Sequence, residues 1–384
     1  MAGIYIHIPY CRKACHYCNF HFTTSFKNKD ELIKAICDEI KFQSDYLRGE
    51  VIKTVYFGGG TPSAMPPEDI EKIINHIWFF HRIEANAEVT LEANPDDVNV
   101  ENLSYWKQIG INRLSIGIQA LQDELLIAWN RTHSAAQARM CIAQAQAAGF
   151  NNITADLIYG GQGLTDEDWI HNIQFLTQSG IPHISSYALT VESGTVLSHQ
   201  IKKGLSKTPE DEQSARQYEL LQSLLAASGY QQYEVSNFAI PGFESRHNRS
   251  YWSGEHYLGL GPSAHSYDGK SRQWNVANNV KYTNALRHGS LPFEIEVLTE
   301  VQCYNEIVMT GLRTSIGVDV GRIKAVDEKF LMYLQDTIQP YIDQGKVEML
   351  ATGNYRLLPQ YFFFADGIAA DLFWEERDPD SYRE

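Results

Sequence analysis

Up to about residue 230 the chain repeats one rhythm six times: a short apolar run of strand type, then a longer segment with helical spacing. The strand-type runs fall at 4–8, 54–57, 88–91, 113–118, 153–158 and 184–189. The helical segments fall at 28–48, 67–81, 99–109, 121–148, 166–179 and 210–228. Ile70, Ile73, Ile74 and Ile77 show the i, i+3, i+4, i+7 stripe of a half-buried helix. Gly110, Gly149, Gly180 and Gly229 each follow the last periodic residue of a helix, where a left-handed C-terminal turn is needed. Strands that each lead into a helix require right-handed crossovers and hence a parallel sheet.

The strand ends separate a barrel from an open sheet. The first run leads into cysteines, the second into Gly58-Gly59-Gly60-Thr61-Pro62, and the third ends at Glu92 and Asn94. The fourth ends near Gln119, the fifth carries Asp156 and Tyr159, and the sixth ends near Thr190 and Glu192. Polar or glycine residues at every C-terminal end fit the active face of a (β/α) barrel. A doubly wound sheet would gather them at one switch point. Six repeats predict a partial (β/α)6 TIM-type barrel over residues 1–230. Residues 231–298, rich in Gly, Asn, Ser and aromatics, form an irregular closing segment. Residues 299–384 form a small α+β domain with a hairpin around Gly353-Asn354, of the kind a winged helix carries. That last region holds eight basic and fifteen acidic residues, which argues against DNA binding.

The formal charge of the whole chain is −15, so neither nucleic acid nor an anionic membrane is expected as the main partner. No apolar run reaches the ~20 residues of a membrane span, and no signal-peptide pattern opens the sequence, so a cytoplasmic protein is expected. The apolar tail 362–374 is expected to dock as a terminal helix, interrupted as it is by Asp366 and Asp371. Nothing in the sequence calls for a second copy of the chain.

Six cysteines are too few for a disulfide scaffold. Cys37, Cys141 and Cys303 lie in helical apolar contexts and are expected in the core. Cys11, Cys15 and Cys18 instead crowd into one loop after the first strand. Three thiolates are one ligand short of closing a zinc or iron–sulfur site. A structural zinc with His7, His16 or His21 as fourth ligand is one reading. An iron–sulfur cluster with an open iron is the other.

The spacing CxxxCxxC after a strand, with Tyr17 before the third cysteine, resembles the radical S-adenosylmethionine (SAM) superfamily. The resemblance implies a [4Fe-4S] cluster on Cys11, Cys15 and Cys18, SAM on the fourth iron, and reduction of SAM to a 5′-deoxyadenosyl radical. Gly58-Gly59-Gly60-Thr61-Pro62 looks like the family's glycine motif. Further stretches resemble the subfamily of oxygen-independent coproporphyrinogen III dehydrogenase. These are Tyr5-Ile6-His7-Ile8-Pro9-Tyr10-Cys11, Leu91-Glu92-Ala93-Asn94-Pro95, Leu114-Ser115-Ile116-Gly117-Ile118-Gln119, Asn130-Arg131 and Asp156-Leu157-Ile158-Tyr159-Gly160. Carried over by position, Tyr5, Tyr17, Gly59, Gly60, Thr61, Glu92, Gln119, Arg131 and Asp156 form the SAM pocket. In it Glu92 and Asp156 accept from ribose hydroxyls or an ammonium, Arg131 pairs with the SAM carboxylate, and Tyr17 covers the adenine. Gly160-Gly161-Gln162-Gly163 departs from relatives that usually carry a proline there.

Two departures set the chain apart from the dehydrogenase. Phe20 stands where that enzyme has a fourth cysteine, and only ten residues precede Cys11. Both are expected of the sister group of HemW-type heme chaperones, which also carry a His-Asn-x-x-Tyr-Trp motif, here His247-Asn248-Arg249-Ser250-Tyr251-Trp252. The resemblance implies that heme is bound and passed to an acceptor hemoprotein, such as a membrane-bound respiratory one. His247 is the candidate axial ligand, with His256 and His265 as competitors. Tyr251 and Trp252 are candidate porphyrin faces, and Arg246 or Arg249 candidate propionate partners. The alternative is the dehydrogenase itself, converting coproporphyrinogen III to protoporphyrinogen IX.

Overall fold

The structure, a computed structural model, describes residues 2–375. Six strands appear where the rhythm predicts them: β1 (Ala2–Ile8), β2 (Ile52–Gly59), β3 (Ile83–Ala93), β4 (Arg113–Gln119), β5 (Ile153–Tyr159) and β6 (His183–Ala188). They pair in chain order and in parallel. Between them run α1 (Lys29–Phe42), α2 (Pro67–Phe80), α3 (Val100–Gln108), α4 (Asp123–Ala128), α5 (Ala135–Ala147) and α6 (Asp166–Gln178). After β6 come α7 (Val196–Lys202) and α8 (Asp211–Ala227).

Each strand has one apolar and one polar face. Ile4, Ile6 and Ile8, Val55 and Phe57, Val89 and Leu91, and Leu114, Ile116 and Ile118 are buried on one side. Tyr5, Tyr56, Glu92, Ser115, Asp156 and Ser185 occupy the alternate positions, as the period of two in a strand requires. The sheet is a partial barrel of TIM type with a polar lumen, as expected.

The segment predicted as one helix over 121–148 is two, α4 and α5. The break falls at Trp129–Ser134, where Asn130 takes a left-handed backbone (φ 57°) and Ser134 caps α5 in a capping box with Gln137. Apolar residues on both sides of this short turn, and the Ala-rich stretch that follows it, let one helical segment be drawn across it.

The region after residue 230 is more regular than its composition indicates. It contains β7 (Gln231–Gln232), β8 (Asn237–Ala239), α9 (Arg246–Trp252), β9 (His256–Leu260), β10 (His265–Tyr267), β11 (Ser271–Asn275), α10 (Asn279–Arg287) and β12 (Phe293–Val297). β8 runs antiparallel on β6, and β9 adds parallel to β1 with Tyr5 opposite Gly259. Strands of two to five residues are too short to show a period, which is why the sequence pattern misses them. The buried Glu39 of α1 ties this region down: it accepts from Gly261 N–H (2.8 Å), Asn275 Nδ2 (2.6 Å) and the Tyr282 hydroxyl. Burial pushes its carboxyl up to about 7.

The chain divides into two compact units. Of the described residues, the first holds 2–231, Ser236–Tyr251 and Glu255–Glu296; the second holds Gln232–Val235, Trp252–Gly254 and 297–375. The second is a small α+β unit of α11 (Glu300–Leu312), α12 (Val320–Val326), α13 (Glu328–Asp343), the antiparallel hairpin β13 (Val347–Met349) and β14 (Tyr355–Leu357), and α14 (Ala365–Asp371). Its tail docks as expected. Trp374 packs edge-on against Phe330 and Tyr333, and Tyr304 donates to the Leu372 carbonyl at 2.9 Å. Cys37 and Cys141 are buried, while Cys303 is only partly so.

Candidate functional site

Because β1–β6 are parallel, their C-terminal ends meet on one face, and the cysteine loop lies there. Its backbone is fixed at both ends. Cys11 N–H donates to Thr23 O (3.0 Å), and Thr23 N–H donates to Pro9 O (2.7 Å). Other connections on this face hold its middle. Asn130 Nδ2 donates to Ala14 O (2.8 Å), His16 N–H to Trp129 O (3.1 Å), and Arg12 pairs with the buried Asp97 at 2.5 Å. Phe20 is 68% exposed.

The sulfurs have donors of their own. Thr61 Oγ1 donates to Cys11 Sγ at 3.4 Å, and Arg131 Nη1 donates to Cys15 Sγ at 3.3 Å. Burial pushes the Cys11 thiol up to about 11; the Thr61 hydrogen bond opposes this, and the neighbouring Cys15 and Cys18 add to it. Cys18 is raised in the same way, burial first. Among the described residues no group of three His, Cys, Asp or Glu is gathered as a site for a single metal ion. The histidines considered as a fourth ligand all hydrogen-bond elsewhere: His7 Nε2 with His21 O, His16 Nδ1 with Ala128 O, and His21 Nε2 with Asn279 Oδ1. Three soft sulfur donors with an O–H and a guanidinium directed at two of them fit an iron–sulfur cluster, whose potential such hydrogen bonds tune.

The glycine loop is dictated first by packing. A Cβ on Gly60 would lie 2.8–2.9 Å from backbone atoms of Ile8 and Tyr10, and one on Gly59 (φ 109°) 2.8 Å from the His7 ring. Gly60 N–H donates to Ile8 O and Thr61 N–H to Tyr10 O, so the loop prolongs the β1–β2 ladder beside the cysteines.

Arg131 is the hub of this face. Beyond Cys15, it donates through Nη2 to Asn94 Oδ1 and Gly117 O, both at 2.8 Å, and Nη1 lies 3.5 Å from the Tyr17 hydroxyl. Its buried Nε has no acceptor. A Cβ on Gly117 would come within 2.9 Å of Gln119 Nε2 and 3.2 Å of Arg131 Nη2, so that glycine makes room for both side chains. Gln119 itself holds φ 66° at a register shift of β4, a conformation that is uncommon away from glycine and clusters at functional sites.

Deeper in the lumen, register aligns Glu92 with Ser115 and Asp156 with Ser185 and Asn237. Tyr56 OH donates to Glu92 Oε1 (2.8 Å), and Ser115 Oγ donates to Asp156 Oδ1 (3.3 Å). Burial pushes Glu92 up to about 7, against hydrogen bonds from Tyr56 and Gly59 N–H. Asp156 also rises to about 7, by burial and then by the Glu92 charge. Tyr5 stacks near Tyr56 with ring centroids 6.1 Å apart. Thus Tyr5, Tyr17, Gly59, Gly60, Thr61, Glu92, Gln119, Arg131 and Asp156 all fall on one face or in the lumen beneath it. Asn94 and Asn130, named in the sequence only as parts of the strand-end stretches, join them, as does Tyr56, which was not singled out. The signal for Tyr56 was its place in the Thr54–Tyr56–Gly58 alternation, opposite Val55 and Phe57.

His247 lies elsewhere. It belongs to the layer below, nearer the strands' N-terminal ends, and is 1% exposed. Its Nδ1 is 2.8 Å from Thr54 Oγ1 and its Nε2 is 2.9 Å from the Tyr251 hydroxyl, so neither ring nitrogen is available to iron in this arrangement. Glu88 accepts the N–H groups of Arg246 (3.1 Å) and His247 (3.0 Å) and faces Arg113. Arg113 continues through Thr154 to His183. Burial lowers the imidazole to about 3, with the Arg113 charge adding to it. Arg246 pairs with Glu84 at 2.8 Å, Tyr251 meets Tyr257 edge-on, and in the second unit the Arg313 guanidinium covers the Trp252 ring at 5.2 Å. Of the two competitors, His256 pairs with Glu50 at 2.5 Å and His265 stacks on Trp274.

Comparison with known proteins addresses the family and the fold. The Radical SAM superfamily pattern matches residues 5–176. The heme chaperone HemW of Mycobacterium tuberculosis (strain CDC 1551 / Oshkosh) is 34% identical over 362 residues, covering 93% of this chain and 92% of that protein. The heme chaperone HemW of Bacillus subtilis (strain 168) is 36% identical over 345 residues, 88% of this chain and 91% of its own length. Among solved structures, coproporphyrinogen III oxidase (HemN) from Escherichia coli, a radical SAM enzyme, superposes with a TM-score of 0.83 over 97% of this chain and 90% of that one. At 21% identity that likeness speaks for the fold. Near-full-length identity above 30% to HemW proteins, on a barrel whose cysteine loop meets its glycine loop, shows that this chain belongs to the HemW family of the radical SAM superfamily.

Proposed function

We propose that the chain is a heme chaperone that binds heme and passes it to an acceptor hemoprotein, and that it carries a [4Fe-4S] cluster on Cys11, Cys15 and Cys18 with SAM beside it. The carrying observation is the match to heme chaperones named HemW along about nine tenths of both chains. When bound, such a cluster supplies one-electron reduction. The chain's own residues do the rest. Thr61 and Arg131 offset thiolate charge at two of the sulfurs. Asn94 and the Gly117 carbonyl hold the Arg131 guanidinium in place for a carboxylate. Tyr5 and Tyr17 offer ring faces, Gln119 and the Gly59–Gly60 loop offer polar groups, and Glu92 and Asp156 accept from hydroxyls or an ammonium. Two carboxyls held near 7 favour a cationic ligand, because its charge lets both ionise.

The heme reading does not rest on His247, both of whose nitrogens are engaged. Among the described residues no helix is long and apolar enough to cross a membrane. We place the protein in the cytoplasm, with delivery to a membrane-bound respiratory hemoprotein as a peripheral event.

Anaerobic reconstitution with iron and sulfide, split between two assays, tests the proposal. One portion receives hemin and is followed in the Soret region; the other receives coproporphyrinogen III, SAM and a reductant. Stoichiometric heme uptake without protoporphyrinogen is expected. Product formation with only nonspecific heme uptake would overturn the reading in favour of a dehydrogenase.

A further inference from the structure

We infer that His247, the first residue of the His-Asn-x-x-Tyr-Trp motif, is a positioning residue for the SAM pocket: its ring supports Tyr56, and Tyr56 in turn holds Glu92. Three aromatic rings lie nearly parallel in the lumen. His247 stacks on Tyr56 with centroids 4.9 Å apart at 20°, Tyr5 lies 6.4 Å from His247 at 24°, and Tyr5 is at 24° to Tyr56. The Tyr56 hydroxyl is the side-chain donor to Glu92. His247 is itself locked from four sides: Thr54 on Nδ1, Tyr251 on Nε2, Glu88 on its backbone N–H, and the Tyr56 ring on its face.

The neighbouring glycines belong to the same construction. A Cβ on Gly3 would lie 2.7 Å from Thr54 Oγ1 and 3.4 Å from His247 Nδ1. A Cβ on Gly58 would lie 2.9 Å from the Tyr56 ring, and 3.0 Å from both Glu92 Oε1 and the Tyr5 ring. At these two positions the backbone leaves no room for even a methyl group beside the stack, so a change in the imidazole is felt at the tyrosine and then at the carboxylate. Tyr251, fourth after His247, supplies the second hydrogen bond from one helical turn away, which gives the motif's spacing a physical purpose.

This inference rests on the proposal that Glu92 meets SAM, and the experiment separates the two. SAM is titrated into anaerobically reconstituted wild type, Tyr56→Phe, His247→Phe and His247→Ala, following bound SAM and the SAM-induced change in the EPR signal of the reduced cluster. Hemin titrations run in parallel. Tyr56→Phe removes only the hydroxyl at Glu92 and should weaken SAM about tenfold. His247→Ala, which takes away the stacking face, should do the same, while His247→Phe keeps the face and falls between these and wild type. Hemin binding should be unchanged throughout. Wild type that neither binds SAM nor changes its signal would overturn the pocket and this inference together. Wild type that binds, with both Tyr56→Phe and His247→Ala matching it, would overturn the inference alone. So would a lost Soret shift in His247→Phe with its SAM affinity intact. Should His247→Ala not fold, Tyr56→Phe and His247→Phe carry the same decision.

Discussion

The cysteine loop and the His247 turn are both short motifs rich in metal-binding residue types, yet the fold treats them oppositely. The loop lies over the strand ends, its three cysteines partly exposed, held by side chains and backbone groups from three other connections on that face. The His247 turn is sunk among the strands with every polar atom of its imidazole satisfied. One is a set of donors awaiting an acceptor; the other is a closed circuit. Residue type announces metal chemistry in both places, and only the burial and hydrogen bonding of each side chain distinguish a ligand from a strut.

This contrast can be broken at four points. The largest effect is expected at the loop: Cys11→Ser, Cys15→Ser or Cys18→Ser should abolish the broad iron–sulfur absorbance after reconstitution, with apoprotein stability changed by less than about 1 kcal/mol. Four irons retained in any of them would sink the cluster assignment. On the floor the balance should reverse. Arg113→Met strands Glu88 and should cost about 3 kcal/mol in urea unfolding, while folded protein still takes up iron. A variant as stable as wild type would show the floor to be less tightly coupled than its contacts imply.

Third is Glu39, whose folded carboxyl holds its proton up to about 7 against an ordinary value of 4.5. Unfolding therefore releases a proton between those values, so its stabilising effect is full below about pH 4.5 and is lost as pH rises through 7. Glu39→Gln removes this slope. Its stability relative to wild type should rise by up to about 3 kcal/mol from pH 4.5 to 8, read from urea melts at each end. A pH-independent difference would mean that Glu39 ionises normally. The smallest effect belongs to Tyr17→Phe, which loses the hydroxyl's contacts with Arg131 (3.5 Å) and Cys15 and should shift stability by less than about 0.5 kcal/mol. A larger loss on thermal unfolding would make the loop part of the core after all.

The barrel was legible because its strands are long enough to alternate and most of its helices long enough to show their stripe; the six-residue α4 and seven-residue α7 are not, and the pattern merged the first with α5 and missed the second. The lumen was written in the same alternation: Glu88, Thr90 and Glu92 interleave with Val89 and Leu91, and Arg113 and Ser115 interleave with Leu114 and Ile116. What escaped was whatever depends on partners remote in the chain. β9 has five residues and no period, and its place beside β1 is set by Glu39 together with Asn275 and Tyr282, each over 200 residues from Glu39 in sequence. The depth of His247 escaped for the same reason, since Thr54 and Glu88 lie more than 150 residues before it.

The pairing of β1 with β9 also has a consequence in time. β1 meets β2 after about 50 residues but β9 only after about 250. At translation rates of roughly 5–20 residues per second, the intervening 200 residues take about 10–40 s to emerge. For that interval one edge of β1 has no partner, and the cysteines that follow it lack the His21–Asn279 tether on that flank. Growth of the chain thus exposes the three thiols first and fastens their loop last.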